Sequence, residues 1–98
     1  MSARAAVEAR PTWTFLTNHA HVLIAVATDP EARVRDIAER VGITERAVQG
    51  ILDDLERGEY LARERVGRRN HYLLRKGGRF RHPAERGHAI DELLRLFR

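Results

Sequence analysis

Apolar positions along the chain fall into three helical segments, two short extended runs and a final helical segment. Val22 to Ala27 is apolar on every side, as a central buried helix should be. Thr17 or Asn18 can cap its start, and Asp29-Pro30 ends it, because the residue before a proline avoids the α region. A second helix is expected from Val34 to Val41. It buries Ile37, Ala38 and Val41, carries Asp36 in its first turn, and stops at Gly42, whose left-handed freedom lets Ile43 fold back over the end. Thr44 then caps a third helix from Glu45 to about Arg57. Val48, Ile51, Leu52 and Leu55 recur at i, i+3, i+4 and i+7 as its buried stripe, leaving Glu45, Arg46, Gln49, Gly50 and Asp53 on the opposite face.

Tyr60 to Val66 and His71 to Arg75 are extended runs on either side of "GRRN", residues 67–70. They read as a β-hairpin with a four-residue turn and two arginines at its tip. "RKGGRFRHP" is expected to be a loop, followed from about Pro83 or Ala84 by a last helix with Ile90, Leu93, Leu94 and Phe97 at i, i+3, i+4 and i+7. Trp13, Phe15 and Phe80 are expected to complete the small core rather than line an effector pocket, or, for the first two, to join the apolar face of the last helix. The fold class is therefore mainly α with a β-hairpin, in the order helix, helix, helix, hairpin, helix. The expected organisation is a flexible arm over residues 1–12, a folded domain over 13–82 and a C-terminal helix over 83–98.

Two short helices joined through "VGIT", the second with a polar face, form a helix-turn-helix. The offsets have a steric logic. Ala38 is small where the helices cross, Gly42 permits positive φ four residues later, and Val48 fills the space between them. The stretch "VRDIAERVGITERAVQGILDDLERGEYLARERVGRRNHYLL", Val34 to Leu74, resembles the winged helix-turn-helix transcriptional regulators of bacteria, of the MarR-like and ArsR-like type. The tail "RHPAERGHAIDELLRLF" is similar to the end of small single-domain actinobacterial members.

That resemblance implies a reading helix in the major groove of double-stranded DNA and a hairpin, the wing, along the backbone with its tip near the minor groove. Carried onto this sequence, Thr44, Arg46 and Gln49 match groove-facing positions, and Arg68 and Arg69 match the wing tip. Glu45, Gly50 and Asn70 complete the candidate DNA-binding set. The side-chain chemistry agrees independently: Arg can engage two acceptors of guanine, Gln can pair with adenine, and free N–H groups at a helix start suit phosphate. Gly50 departs from the pattern by offering no side chain, and in "LERGEYL" the glycine stands one residue early, before Glu59. Asp53 and Asp54 would repel phosphate, which confines contacts to the first two turns of the helix.

Charge sharpens this picture. Between Arg65 and Ala84 lie seven basic residues and no acid, so the other 78 residues sum to −3 against a formal total of +4. Such a block suits an anionic partner, and nucleic acid is the commonest for a small basic domain. For Arg75, Lys76, Arg79 and Arg81 backbone phosphate contacts are compatible with the pattern, but a charge run is usually only a solvated surface, and none of the four is singled out. Ninety-eight residues make one domain, and the absence of cysteine removes disulfides, thiolate metal sites and Cys nucleophiles. No signal peptide or membrane-length apolar run is present, so the expected location is the cytoplasm, with no membrane partner.

An enzyme is not expected: Ser2 is the only serine, there is no glycine-rich phosphate loop, and no close pair of carboxylates falls on a likely pocket wall. His19 and His21 point to different sides of a helix, and no ligand spacing joins them to His71, His82 or His88, so no metal or other cofactor is expected. A small-molecule effector is compatible with the chain but unsupported by it. A homodimer is expected, because in the relatives terminal helices dimerise, with Ile90, Leu93, Leu94 and Phe97 as its seam. The expected function is sequence-specific binding of double-stranded DNA as a dimeric regulator; the alternative is a winged helix serving as a protein interaction module.

Overall fold

In the computed structural model residues 11–98 are described, so the arm expected over 1–12 lies outside them except for Pro11 and Thr12. The elements are α1 (Asn18–Thr28), α2 (Val34–Val41), α3 (Glu45–Arg57), β1 (Leu61–Val66), β2 (Arg69–Leu74) and α4 (Ile90–Arg95). This is a winged helix-turn-helix, mainly helical, in the expected order. None of the described helices is long and apolar enough to cross a membrane.

Local chemistry explains each boundary. The Thr17 hydroxyl accepts the Ala20 N–H at 3.2 Å and the Thr44 hydroxyl accepts the Ala47 N–H at 3.0 Å, satisfying donors that a helix start leaves orphaned. Gly42 sits at φ 87°, and both its own N–H and that of Ile43 reach the Ala38 carbonyl. The three helices converge on Val22, Val26, Ile37, Val48 and Leu52, all essentially without exposed surface. Leu61 and Tyr72 extend this core into the hairpin, and the Tyr72 N–H donates to the Pro30 carbonyl at 2.8 Å, docking β2 onto the loop after α1.

The end of α3 resolves the misplaced glycine. The Tyr60 N–H bonds to the Leu55 carbonyl at 2.9 Å and the Glu59 N–H to the Glu56 carbonyl at 3.0 Å, the paired bonds of a Schellman cap. The residue that must be left-handed in this cap is Glu59, at φ 67°, while Gly58 is right-handed at φ −79°. Gly58 serves a different need. A Cβ there would stand 3.0 Å from the Tyr60 ring, which is also pressed on Gly78 and held by its hydroxyl on the Arg79 carbonyl at 2.5 Å. Glu59→Gly is therefore expected to stabilise the domain by about 1 kcal/mol, raising the unfolding temperature by about 4–8 °C in a calorimetric scan.

Two expectations about the hairpin and tail are corrected. "GRRN" is not a four-residue turn: Arg69 pairs with Val66 and Asn70 with Arg65, leaving a two-residue loop of Gly67 and Arg68. Gly67, at φ 64°, supplies the positive φ that two-residue hairpin loops need, which lets the strands pair one step further. The last helix begins at Ile90, not near Pro83. Residues 75–89 are instead clipped back on themselves, through an antiparallel bridge between Arg79 and Ala89 and a 2.9 Å bond from the Ile90 N–H to the Gly78 carbonyl.

Candidate nucleic-acid interface

The first turns of α3 present a continuous polar face. Thr44, Glu45, Arg46, Gln49 and Gly50 are all exposed, whereas Val48, Ile51, Leu52 and Leu55 are buried on the other side. The stripe read from the sequence is thus the stripe the fold uses. Thr44 spends its oxygen lone pair on the Ala47 N–H, and its hydroxyl proton remains free to donate to a phosphate. A Cβ on Gly50 would meet nothing within 4 Å, so the glycine is not required by packing and leaves a bare patch of backbone on the reading face.

The wing separates the two tip candidates, Arg68 and Arg69, and the neighbouring Asn70. Arg68 alone occupies the loop beside Gly67 and projects from the tip. Arg69 lies in β2 and turns back, its Nη2 donating to the Glu31 carbonyl at 3.1 Å. Asn70 is half-buried opposite Arg65. Below them the His71 imidazole stands 3.5 Å from Glu31, so the base of the wing is tied to the loop between α1 and α2 at several points.

Asp53, Asp54 and Glu56 on α3, though about half exposed, are paired with basic side chains. Arg63, on β1, donates from Nη2 to Asp53 at 2.6 Å and to Glu56 at 2.7 Å, and from Nε to Glu56 at 3.1 Å. Partial burial works against the Arg63 charge, but the hydrogen bonds to Asp53 and Glu56 outweigh it and bind the proton more tightly than usual. Asp54 receives a 2.9 Å bond from His19 of α1 and a 3.0 Å bond from Arg57; the His19 hydrogen bond is the main reason its carboxyl lies below the usual carboxylate range. Arg63 escaped the sequence reading. The signal was present: it stands two residues after Leu61, on the strand row that faces the domain.

On the far side, α1, the end of α3 and the tail enclose an open groove of about 870 Å³, walled by Leu23, Leu55, Tyr60, Phe80, Ile90 and Leu93. Of the proposed dimer seam, Leu94 is buried in its own core, Ile90 and Leu93 are half-buried, and Phe97 is exposed. The helical stripe is divided because α4 has only six residues and lies on its own domain. Trp13 and Phe15 do not complete the core. They stand 67% and 91% exposed, edge to face with each other at 5.1 Å. Among the described residues no three His, Asp or Glu side chains converge on one point; His82 and His88 each face a glutamate one turn away.

A sequence profile described as the MarR family matches residues 14–69, more than half of the chain. No curated protein matches it in sequence. Among solved structures, a variant of ZitR from Lactococcus lactis superposes with a TM-score of 0.53 at 23% identity, over 67% of this chain and 47% of that one. Wild-type Lactococcus lactis ZitR in complex with DNA gives 0.53 at 20% identity, over 66% and 46%. A structure of the same protein described as a zinc-responsive MarR family member gives 0.52 at 22%, over 66% and 46%. These likenesses speak to the fold, and the chain spans about half the length of the structures it matches.

Proposed function

The chain belongs to the MarR family, and from that premise we propose that it is a dimeric, sequence-specific regulator that binds double-stranded DNA in the bacterial cytoplasm. The observation that carries the proposal is the direct succession of an exposed Thr44, Arg46 and Gln49 face and a hairpin tipped by Arg68. The complex of ZitR with DNA supports it by fold likeness. Arg46 and Gln49 read base edges in the major groove, the start of α3 meets a phosphate, and Arg68 enters or flanks the minor groove, whose narrow form attracts arginine. No catalytic step and no cofactor is assigned.

A two-fold dimer places two reading helices one DNA turn apart, about 34 Å. Its seam is proposed to run through Leu93, Phe97 and the neighbouring Leu96, with Trp13 and Phe15, because Ile90 and Leu94 are engaged in their own domain. These exposed apolar side chains also favour the second reading, a winged helix that binds protein.

Selection of bound sequences from a random duplex library tests the proposal, since it reports binding, base preference and half-site symmetry together. Recovery of no enriched sequence would count against it. Salt dependence separates the second reading, because phosphate contacts weaken steeply with salt and an apolar interface does not. Arg68→Ala is expected to lower affinity about tenfold and to flatten the slope of log affinity against log salt by about 0.9, while Arg69→Ala changes the slope less. The contrast follows from the Arg69 bond to the Glu31 carbonyl.

A further inference from the structure

Past Glu45, the exposed face of α3 changes sign along its length. Asp53 follows Arg46 by seven residues and Glu56 follows Gln49 by seven, so each acid lies two turns further along the same line as a reading side chain. A face that opens with a cation and an amide therefore closes with two carboxylates. Unscreened, these would meet the DNA backbone where the groove wall rises beside the helix.

One side chain engages both. Arg63 reaches Asp53 and Glu56 from the wing at 2.6 and 2.7 Å, and it is only 23% exposed while its partners are about half exposed. Its place in β1 makes this possible. The row Leu61, Arg63, Arg65 faces Leu74, Tyr72 and Asn70 across the hairpin, and with Leu61 and Tyr72 buried, Arg63 leaves the core at the edge nearest α3. Only a guanidinium can serve two carboxylates from one planar fork; an ammonium is a point charge on a flexible stem.

We infer that Arg63 is a positioning residue of the wing: it fixes the hairpin against α3 and offsets one of the two negative charges at the far end of the reading face. The inference rests on the DNA-binding reading above. It makes Arg63 a determinant of where Arg68 lands relative to Arg46 and Gln49, although it touches no DNA itself.

Three variants test it: Arg63→Ala, Arg63→Lys, and Arg63→Ala combined with Asp53→Asn and Glu56→Gln. Two measurements are made on each. One is affinity against salt for the duplex selected by the wild type. The other is the distance distribution in the free protein between spin labels at Arg68→Cys and Gln49→Cys, which label uniquely because the chain has no cysteine. Arg63→Ala is expected to weaken binding about tenfold and to broaden the label distances at temperatures where the domain remains folded. The triple variant is expected to recover only the part of the affinity lost to repulsion, about threefold of the tenfold, while its label distances stay broad and the loss due to the loose wing persists. Arg63→Lys falls between the wild type and Arg63→Ala in both readouts.

Label distances identical to the wild type in Arg63→Ala overturn the tether, and they do so without DNA. No recovery in the triple variant overturns the charge offset. If the wild type selects no duplex at all, the functional reading fails instead, and the label distances still decide whether Arg63 holds the wing.

Discussion

Replacing Arg46 and Gln49 together by alanine is expected to weaken binding to the selected duplex by about a hundredfold and to erase its base preference at the contacted positions. A good bidentate contact discriminates by about 1–3 kcal/mol, so two of them lost together account for a change of that size. The interpretation depends on the variant remaining folded, and here it should. Both side chains are exposed on the face opposite Val48, Ile51, Leu52 and Leu55, and alanine has the highest helix propensity of all residues. Titration by fluorescence anisotropy, with the unfolding temperature measured alongside, checks both halves. An unchanged affinity and preference would remove α3 as the reading element.

Leu52→Ala is expected to have the largest effect on stability, about 2–5 kcal/mol, and to lower the unfolding temperature by about 10 °C or more. Leu52 has no exposed surface and lies at the centre of the face that α3 turns toward α1 and α2. The cavity left behind has few routes to collapse, because its neighbours Val22, Val26, Ile37 and Val48 are themselves fully packed. In a domain of this size such a loss is a large share of the whole stability. Leu52→Met, which nearly conserves volume, should cost less than about 1.5 kcal/mol. Comparing the two in urea unfolding separates lost packing from any effect at the polar face. DNA binding by Leu52→Ala should survive at temperatures where the domain is still folded.

The helix-turn-helix was legible because each of its signals is local. Thr44 caps by reaching three residues ahead, Gly42 ends a helix through its own φ, and the spacing of Val48, Ile51, Leu52 and Leu55 sets which side of α3 is dry. The polar face then followed as the remainder, and the structure leaves Arg46 and Gln49 on it. The wing was legible as a hairpin but not in register. "GRRN" offers a turn residue at both ends, and the choice between a four-residue and a two-residue loop was made by strand pairing and by the Arg69 and Tyr72 bonds to the loop after α1.

The tail was the least legible part. An i, i+3, i+4, i+7 stripe from Ile90 to Phe97 reads as one apolar face, yet the short α4 turns Leu94 inward and leaves Phe97 outside. The clip between Arg79 and Ala89 consumes residues that would have formed its first turns.

What the chain by itself determined is therefore the set of contacts made within about a turn: caps, helix ends, the buried stripe of α3, and the polar face opposite it. What only the tertiary structure decided are the long-range choices. Glu59 rather than Gly58 takes the left-handed cap because Gly58 and Gly78 must make room for the Tyr60 ring. Arg68 rather than Arg69 holds the tip because Arg69 finds a carbonyl 38 residues away. Arg63 finds its two carboxylates only once β1 lies beside α3. Each case turns on a group from another part of the fold, Gly78 for the cap, the Glu31 carbonyl for the tip and α3 for Arg63, and neither propensity nor periodicity says which such groups the fold will bring together.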